Sequence, residues 1–247
     1  QADDALIYKG VGSLEDDVSS NLATQLGTAG HTATTVTSLP GSLSPYQQIW
    51  DVRYNDAITG GEQSSYLSYL QSGGGMFVMG EHTGFATRNN TVLSLIAAAG
   101  GGNSLTIVFG DNSQTVLPAA QTPNAITTIG YQAPGGSVNI GTGQCLTRDS
   151  NNICSAIAWG VGSLTNAPTG SLAVVFDINF MQTVPGGSNE AAFLANLIRF
   201  VTVQAGGGGS DFAALGSTPY QRAVGGAFNT LFGNTSGALS SIMANIA

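Results

Sequence analysis

Short apolar runs alternate along residues 1–204 with longer stretches in which apolar positions recur at helical spacing. The short runs are typical of buried strands, whereas the helical spacing predicts amphipathic helices. The predicted strands cover residues 5–8, 32–36, 48–52, 76–79 and 172–176, and the predicted helices lie at 13–29, 59–72, 92–99 and 190–203. Strands and helices in alternation predict an α/β domain over 1–204, with a parallel sheet and right-handed crossovers.

Residues that favour helix ends support these boundaries. Thr59 and Glu62 have the spacing of a capping box. Ser13 and Asn89 are polar residues of the kind that cap helix N-termini. The glycines at 73–75 and 100–102 are predicted to end two of the helices.

Residues 103–165 are less regular and carry both cysteines. Short strand-like runs between Gly, Pro and Asn turns predict an antiparallel β insertion here. Cys145 and Cys154 flank an Asp-Ser-Asn-Asn turn, and strand ends on either side of such a turn can approach to disulfide distance. We expect a disulfide, and therefore an oxidising compartment; a pair of free thiols is the alternative. No histidine lies near either cysteine, so no metal site is expected there.

The composition limits the classes of molecule that the chain is expected to bind. Charged residues make up 8% of the chain, against roughly 25% in typical globular domains. The formal net charge is -8 with only six Lys and Arg residues, which disfavours nucleic acid and anionic membranes. No apolar run approaches the length of a membrane span, and no nucleotide motif is present, so no membrane crossing and no cofactor are expected. The polar start at residues 1–4 is consistent with a processed N-terminus, and we expect a secreted or cell-surface protein.

Three stretches carry a resemblance to a known superfamily. They are YQQIWD at 46–51, SYLSYLQSGGGMFVMG at 65–80, and VVFDINF at 174–180 with the helix that follows it. This order resembles the class I glutamine-amidotransferase-like, flavodoxin-like superfamily. It is most similar to non-catalytic members such as the periplasmic domain of gliding-motility ABC-transporter auxiliary proteins. The resemblance implies a flavodoxin-like, mostly parallel sheet with helices on both faces.

The residues that catalytic members of that superfamily need are missing. Those members carry a Cys at the turn from strand to helix and a His-x-Glu after a later strand. Here the turn holds Glu81 and His82, and the later strand is followed by Asp177, Ile178 and Asn179. The chain is therefore predicted not to be an enzyme of this type.

Glu81, His82, Asp177 and Asn179 are nevertheless the candidate ligand-binding residues. Ligands of open α/β sheets bind beyond the carboxyl ends of the strands, and these residues follow two predicted strands. Two carboxylates and an imidazole could hold a ligand, bind a metal or transfer protons. The alternative is structural, with Glu81 and Asp177 capping the helices that follow them. No metal ligand set is assigned.

The last part of the chain has a different character. Residues 205–216 are predicted to be a Gly-rich linker, and 217–247 a helical hairpin that opens with Thr218 as N-cap and Pro219 at the first helical position. The residues expected to drive assembly are Pro219, Val224, Phe228, Leu231, Phe232, Leu239, Ile242 and Met243. Residues 217–228 and 236–239 are also similar to the segment before the β-barrel of bacterial autotransporters. That likeness implies a surface-displayed passenger, attached in a precursor to an outer-membrane barrel.

Three functions remain open on the sequence alone. The first is a non-catalytic structural protein that associates with its own copies through the tail, including into filaments. The second is a surface module that binds a glycan or small polar ligand at the strand ends near Glu81, His82, Asp177 and Trp50. The third is a hydrolase or metalloenzyme that uses Glu81, His82 and Asp177.

Overall fold

The computed structural model of the chain describes residues 3–182, 184 and 186–205. The predicted linker beyond residue 205 and the predicted hairpin at 217–247 lie outside these residues, as do all the assembly residues from Pro219 to Met243.

The described residues form strands and helices in the following order. The strands are β1 (Asp4–Tyr8), β2 (Thr32–Val36), β3 (Gln48–Asp51), β4 (Gly75–Met79), β5 (Val108–Phe109), β6 (Ser113–Val116), β7 (Thr128–Gly130), β8 (Gly135–Gly136), β9 (Gln144–Arg148), β10 (Cys154–Trp159) and β11 (Ser171–Val175). The α-helices are α1 (Ser13–Thr28), α2 (Gly60–Gln71), α3 (Ala86–Ala99), α4 (Asn179–Gln182) and α5 (Asn189–Ala205). Short 3₁₀ turns lie at Thr83–Phe85 and Pro118–Ala120.

Within the described residues, nine strands form one sheet in the order β2-β1-β3-β4-β11-β10-β9-β6-β7. The strands from β2 to β11 are parallel, in the 2-1-3-4-5 order of flavodoxin-like folds, and the strands from β10 to β7 continue the sheet antiparallel. Apolar residues of α1 and α5 cover one face of the sheet, and those of α2 and α3 cover the other. The α/β fold class, the helices on both faces and the antiparallel insertion are thus as predicted. The insertion extends the main sheet beyond β11.

Two of the predicted helix starts are wrong. Ser13 is the first helical residue of α1; the N-cap is Gly12, and no side chain caps the helix there. Helix α3 begins at Ala86, so Asn89 lies inside the helix, where it is buried. The capping box of α2 is confirmed: the Glu62 N–H donates to Thr59 Oγ1 at 3.3 Å, and the Thr59 N–H donates to Glu62 Oε2 at 2.7 Å.

The antiparallel strands β9 and β10 form a hairpin closed by a disulfide between Cys145 and Cys154. Asp149 organises the turn, because its Oδ1 accepts the N–H groups of Asn151 and Ile153, both at 2.8 Å. Asn152 takes the left-handed conformation with φ 64°, which Asn tolerates better than most residues. The Asp-Ser-Asn-Asn stretch is therefore a turn, as its composition predicts.

Helix α5 packs against β4 and β11 through an apolar stripe. The Ser188 hydroxyl caps its start by accepting the Ala191 N–H at 3.1 Å. The predicted core side is confirmed by the burial of Phe193, Leu194, Leu197, Ile198 and Val201. Among the residues that the structure describes, no helix combines the length and apolar character needed to cross a bilayer.

Candidate functional site

The carboxyl ends of β1, β3, β4 and β11 lie side by side at one edge of the sheet, because these strands are parallel neighbours. The loop after β4 carries Glu81 and His82, and the loop after β11 carries Asp177. The two loops touch: the Ile178 N–H donates to Glu81 Oε2 at 3.3 Å. The fold therefore brings the first three candidate residues to the same edge.

Glu81 is sealed from solvent, with 2% of its surface exposed. Its Oε1 accepts the His82 N–H at 3.0 Å and its Oε2 accepts the Ile178 N–H. Burial, followed by the charge of Asp177, raises the pKa of Glu81 to about 8, although these two N–H donors lower it. At neutral pH the Glu81 carboxyl is consequently mostly protonated and lies beneath the surface.

Asp177 has no exposed surface and is held by backbone N–H groups. Its Oδ2 accepts the Gln132 N–H at 2.6 Å and the Ala133 N–H at 3.3 Å, and its Oδ1 accepts the Asn179 N–H at 2.8 Å. Burial raises the pKa of Asp177, and these N–H donors partly offset that effect. Asp177 thus ties the 132–133 loop to the first turn of α4. We call Glu81 and Asp177 together the buried acid pair.

Asn179 faces a different place from the other three candidates. Its side chain donates to Gln182 Oε1 at 3.2 Å. It borders an open polar cleft together with Asn112, Gly130, Tyr131, Gln132, Phe180, Gln182 and Glu190. The sequence alone groups Asn179 with Asp177, whereas in the fold Asn179 borders a cleft that Glu81, His82 and Asp177 do not line.

His82 is half-buried and belongs to a row of aromatic rings. Its Nδ1 accepts the Gly84 N–H at 3.1 Å, so the side chain also caps the 3₁₀ turn. The His82 ring meets Phe85 edge-on at 4.8 Å between centroids and stacks on Phe109 at 5.4 Å and 21°. Phe85 in turn contacts Tyr54 edge-on at 5.3 Å. We call Tyr54, Phe85, His82 and Phe109 the ring row.

A small β-ribbon positions the outer end of the ring row. Strands β5 and β8 pair antiparallel, with Phe109 opposite Gly135. Gly135 lies directly against the loop after β4, since a Cβ there would lie 2.6 Å from the Glu81 carbonyl oxygen and 3.0 Å from the His82 Cα. Only glycine permits this approach, which brings Phe109 over the His82 ring while leaving Phe109 60% exposed.

Carboxylates adjoin the other end of the ring row. Burial raises the pKa of Tyr54, and the nearby charges of Glu15, Glu81 and Asp56 raise it further. A Cβ at Gly10 would lie 2.7 Å from Glu15 Oε1 and 3.2 Å from Asp56 Oδ2. The edge therefore combines exposed ring surface with the exposed carboxylate of Asp56, whereas Glu15 is buried. Among the described residues, no group of three or more His, Cys, Asp or Glu side chains is placed to hold a metal ion.

Sequence reasoning missed a charged cluster beside the ring row. Asp51, at the end of β3, has no exposed surface and meets two arginines. Arg53 reaches it through Nε at 2.9 Å and Nη2 at 2.7 Å, and Arg88 Nη2 lies 3.2 Å from its Oδ1. The Tyr66 hydroxyl donates to Asp51 Oδ2 at 3.0 Å. We call Asp51, Arg53, Tyr66 and Arg88 the Asp51 cluster.

The Asp51 cluster keeps its carboxylate charged. Burial alone would raise the pKa of Asp51, but the charge of Arg88 and the hydrogen bonds and charge of Arg53 hold it below its usual value. Arg88 also donates through Nε to the Met79 carbonyl at 2.9 Å and through Nη1 to the Asp56 carbonyl at 3.1 Å. The cluster fastens the ends of β3 and β4 to α3. An Asp that ends a run of buried strand residues is the signal in the sequence that could have revealed it.

Trp50 cannot serve the ligand role that its position suggests. It has no exposed surface, stacks on Phe77 with centroids 4.9 Å apart, and donates its indole N–H to Gln48 Oε1 at 3.0 Å. Trp50 is a core residue, so the prediction that places it near a ligand is wrong.

Comparison with known proteins supports the fold. No protein-family model and no curated protein matches the chain. The chain is similar to the structure described as "mmIFT52 N-terminal domain", with 13% identity and a TM-score of 0.61 over 80% of this chain and 97% of that one. It is also similar to a ThuA-like protein from Parabacteroides merdae, with 12% identity and a TM-score of 0.53 over 82% and 90% of the two chains. A glutamine amidotransferase from Thermotoga maritima aligns at 6% identity with a TM-score of 0.43, over 92% of this chain and 94% of that one, which is too low to carry an argument. These likenesses show the α/β fold alone.

Proposed function

We propose that residues 3–205 form a non-catalytic binding module whose ligand is a neutral saccharide that lies along the ring row. The observation that carries this proposal is the continuous contact from Tyr54 through Phe85 and His82 to Phe109, with Phe109 60% exposed. An exposed ring that is held in place by its neighbours loses little side-chain freedom when a ligand packs on it.

The chemistry around the ring row suits a sugar. The apolar C–H face of a pyranose packs on aromatic rings, and its hydroxyl groups donate hydrogen bonds to carboxylates. Asp56 lies near Tyr54, is exposed and is an acceptor of this kind. Nucleic acid and other polyanions fit poorly, because the chain carries a net charge of -8.

Burial of the carboxyl groups supports a non-catalytic role over a hydrolase or metalloenzyme. A catalytic carboxylate must reach its substrate. Glu81 is 2% exposed, Asp177 has no exposed surface, and both are occupied by backbone N–H donors. The buried acid pair thus shapes the loops that present the rings and does not reach the surface where a ligand would lie.

Titration calorimetry with cello-, manno- and chito-oligosaccharides tests this proposal. We expect one of these series to bind, and Phe109→Ala to weaken binding about two- to tenfold, which corresponds to the roughly 0.5–1.5 kcal/mol of an aromatic contact. The matched control is Val138→Ala, which removes an apolar side chain that is also exposed, 64% in this case, from the loop after β8. Absence of binding to all three series, or equal losses in the two variants, would contradict the proposal.

We also propose, from the sequence, that the chain is secreted or displayed at a cell surface and associates with its own copies through residues 217–247. The apolar positions of that stretch at helical spacing, from Val224 to Met243, support this second function. The test is light scattering of the whole chain against Phe228→Asp and, as control, Asn229→Asp. A loss of assembly in Phe228→Asp alone supports it, and unchanged mass in both variants argues against it.

A further inference from the structure

The two outer edges of the nine-stranded sheet differ in whether side chains cover their backbone groups. At the β7 edge, side chains from the start of α5 cover the backbone. Asn189 Nδ2 donates to the Thr128 carbonyl at 2.9 Å, and the Gly130 N–H donates to Glu190 Oε1 at 3.1 Å. This edge is therefore closed to another strand.

At the β2 edge, no side chain of the described residues makes a hydrogen bond of this kind with the outer backbone groups. Strand β2 pairs with β1 through alternate residues: the Thr32 N–H donates to the Asp3 carbonyl at 2.9 Å, and the Val36 carbonyl accepts the Lys9 N–H at 3.0 Å. By the alternation of a parallel ladder, the N–H and C=O groups of Ala33 and Thr35 point away from β1. Within the described residues these outward groups have no hydrogen-bond partner.

The segment around β2 also lacks the charges that usually protect a sheet edge. No Asp, Glu, Lys or Arg occurs from residue 18 to residue 50, in a chain whose net charge is -8. Natural edge strands commonly carry charged residues or proline to prevent pairing with other chains. Strand β2 reads TATTV, and Thr32, Thr34 and Thr35 are exposed.

We propose that the β2 edge binds the β2 edge of a second copy of this chain, antiparallel across a two-fold axis. The outward groups set the register: Ala33 of each copy faces Thr35 of the other and exchanges hydrogen bonds with it. Thr34 then faces Thr34 as the non-hydrogen-bonded pair. A second copy fits better than a charged partner, because the stretch offers no charge to attract one. A two-fold contact also brings no like charges together here, although the rest of the chain is acidic.

The proposed two-fold contact at β2 involves neither the ring row nor residues 217–247. Cross-strand threonine pairs are favourable, and the four backbone hydrogen bonds between the two copies would be made by groups that now face water. The result is a continuous sheet across two copies, joined at β2 while the capped β7 edges remain at the outside.

Cysteine cross-linking of the full chain tests the register. The two cysteines of the sequence are bonded to each other, so an added cysteine is the only free thiol. The Cα atoms of a non-hydrogen-bonded antiparallel pair lie about 4.5 Å apart, within the roughly 4.4–6.8 Å range of disulfides. Mild oxidation of Thr34→Cys should convert most chains to a covalent dimer. Thr115→Cys, exposed on β6 between two paired strands, should stay monomeric on a non-reducing gel.

A second pair of variants separates this edge from the tail. Thr35→Lys should raise the dimer dissociation constant at least about tenfold in sedimentation equilibrium, because it places like charges in the contact, while Thr115→Lys should leave the constant unchanged. Monomeric wild-type chain, or no preferential cross-link at position 34, would overturn the proposal. Association that Phe228→Asp abolishes and Thr35→Lys leaves intact would also overturn it, while supporting the tail.

Discussion

The Asp51 cluster and the buried acid pair lie at the same edge of the same sheet. The pKa of the buried carboxyl group is lowered in the Asp51 cluster and raised in the buried acid pair. Asp51 meets two guanidinium groups, and its pKa lies below the usual value. Glu81 meets backbone N–H groups and another acid, and its pKa is raised to about 8. Burial is similar in both places, so the partner decides whether the carboxyl group carries a charge.

The difference has a consequence for the surface above each group. The Asp51 cluster joins β3, β4 and α3 by charged contacts that must all be kept, since a buried charge that loses its partner is costly. Beside the ring row, by contrast, Glu81 has no cationic side chain as a partner, and its raised pKa leaves it mostly neutral at pH 7. A neutral Glu81 next to His82 is compatible with a neutral ligand on the rings.

The largest expected effect comes from breaking the Asp51 cluster. In Arg88→Leu, Asp51 would keep only Arg53 as a cationic partner, and the Met79 and Asp56 carbonyls would lose their donor. We expect a loss of about 3–5 kcal/mol in the free energy of unfolding, as for buried ion pairs stripped of one partner. Urea denaturation followed by circular dichroism measures it.

The control for Arg88→Leu is an ion pair with an exposed acidic partner. The Lys9 side chain, 17% exposed, pairs with Asp16, whose side chain is 64% exposed. Lys9→Met should cost less than about 1 kcal/mol, because exposed pairs contribute little. Similar losses in the two variants would show that the Asp51 cluster does not depend on its buried charges.

The next effect is a pH dependence that distinguishes the two acids. Glu81 has a folded-state pKa of about 8, above its ordinary value of 4.5, so the folded chain holds a proton there that the unfolded chain has released. The stabilisation that comes from protonated Glu81 is fully present when the pH is below the ordinary pKa of 4.5, and it is lost as the pH rises towards 8. The slope for one proton is at most about 1.4 kcal/mol per pH unit. Asp51 acts in the opposite sense: its contribution is present above its ordinary value of 3.8 and is lost as the pH falls.

Glu81→Gln isolates the contribution of Glu81. Glutamine resembles the protonated acid in size and charge, although it cannot accept the Ile178 N–H with its amide nitrogen. The free energy of unfolding of wild type should fall more steeply between pH 5 and 8 than that of Glu81→Gln, by about 1 kcal/mol per pH unit. Parallel curves over this window would show that Glu81 titrates normally. The comparison uses slopes, so a constant cost of the substitution does not affect it.

The hydrophobic pattern predicts much of the fold, because buried positions recur at the spacing of a strand or a helix and apolar residues occupy them in the sequence. The parallel strands, the core side of α5 and the capping box at Thr59 and Glu62 all depend on local spacing. The sequence pattern does not indicate strand β6 or helix α4, since SQTV has little apolar character and α4 is a single turn. Their structure depends on tertiary neighbours that no local pattern encodes.

The candidate site was predicted less completely. The rule that side chains gather at the carboxyl ends of parallel strands located Glu81, His82 and Asp177. It could not tell that both acids are buried, nor that Phe109 would arrive from the β5–β8 ribbon to meet His82. That contact depends on Gly135 lying against the loop after β4, which is a long-range approach of two backbones.

Asn89 shows most directly how a rule based on local sequence can miss a contact that a residue makes in the folded chain. Its substitution is expected to give the smallest of the three changes in stability. Asn89 Oδ1 accepts the Glu81 N–H at 2.9 Å, and its Nδ2 donates to the carbonyls of Glu81 at 2.7 Å and His82 at 3.0 Å. Asn89→Ala would leave these buried backbone groups unpaired, so we expect a loss of about 1–3 kcal/mol in the free energy of unfolding.

The adjacent Asn90 provides a matched control for Asn89, because it lies exposed on the same helix. Asn90→Ala removes the same amide without touching the loop after β4 and should change stability by less than about 0.5 kcal/mol. Because Asn89 also fixes the backbone that carries His82, Asn89→Ala should weaken saccharide binding as well, while Asn90→Ala should not. If Asn89→Ala lowered stability but left binding intact, the position of the ring row would depend on the β5–β8 ribbon alone.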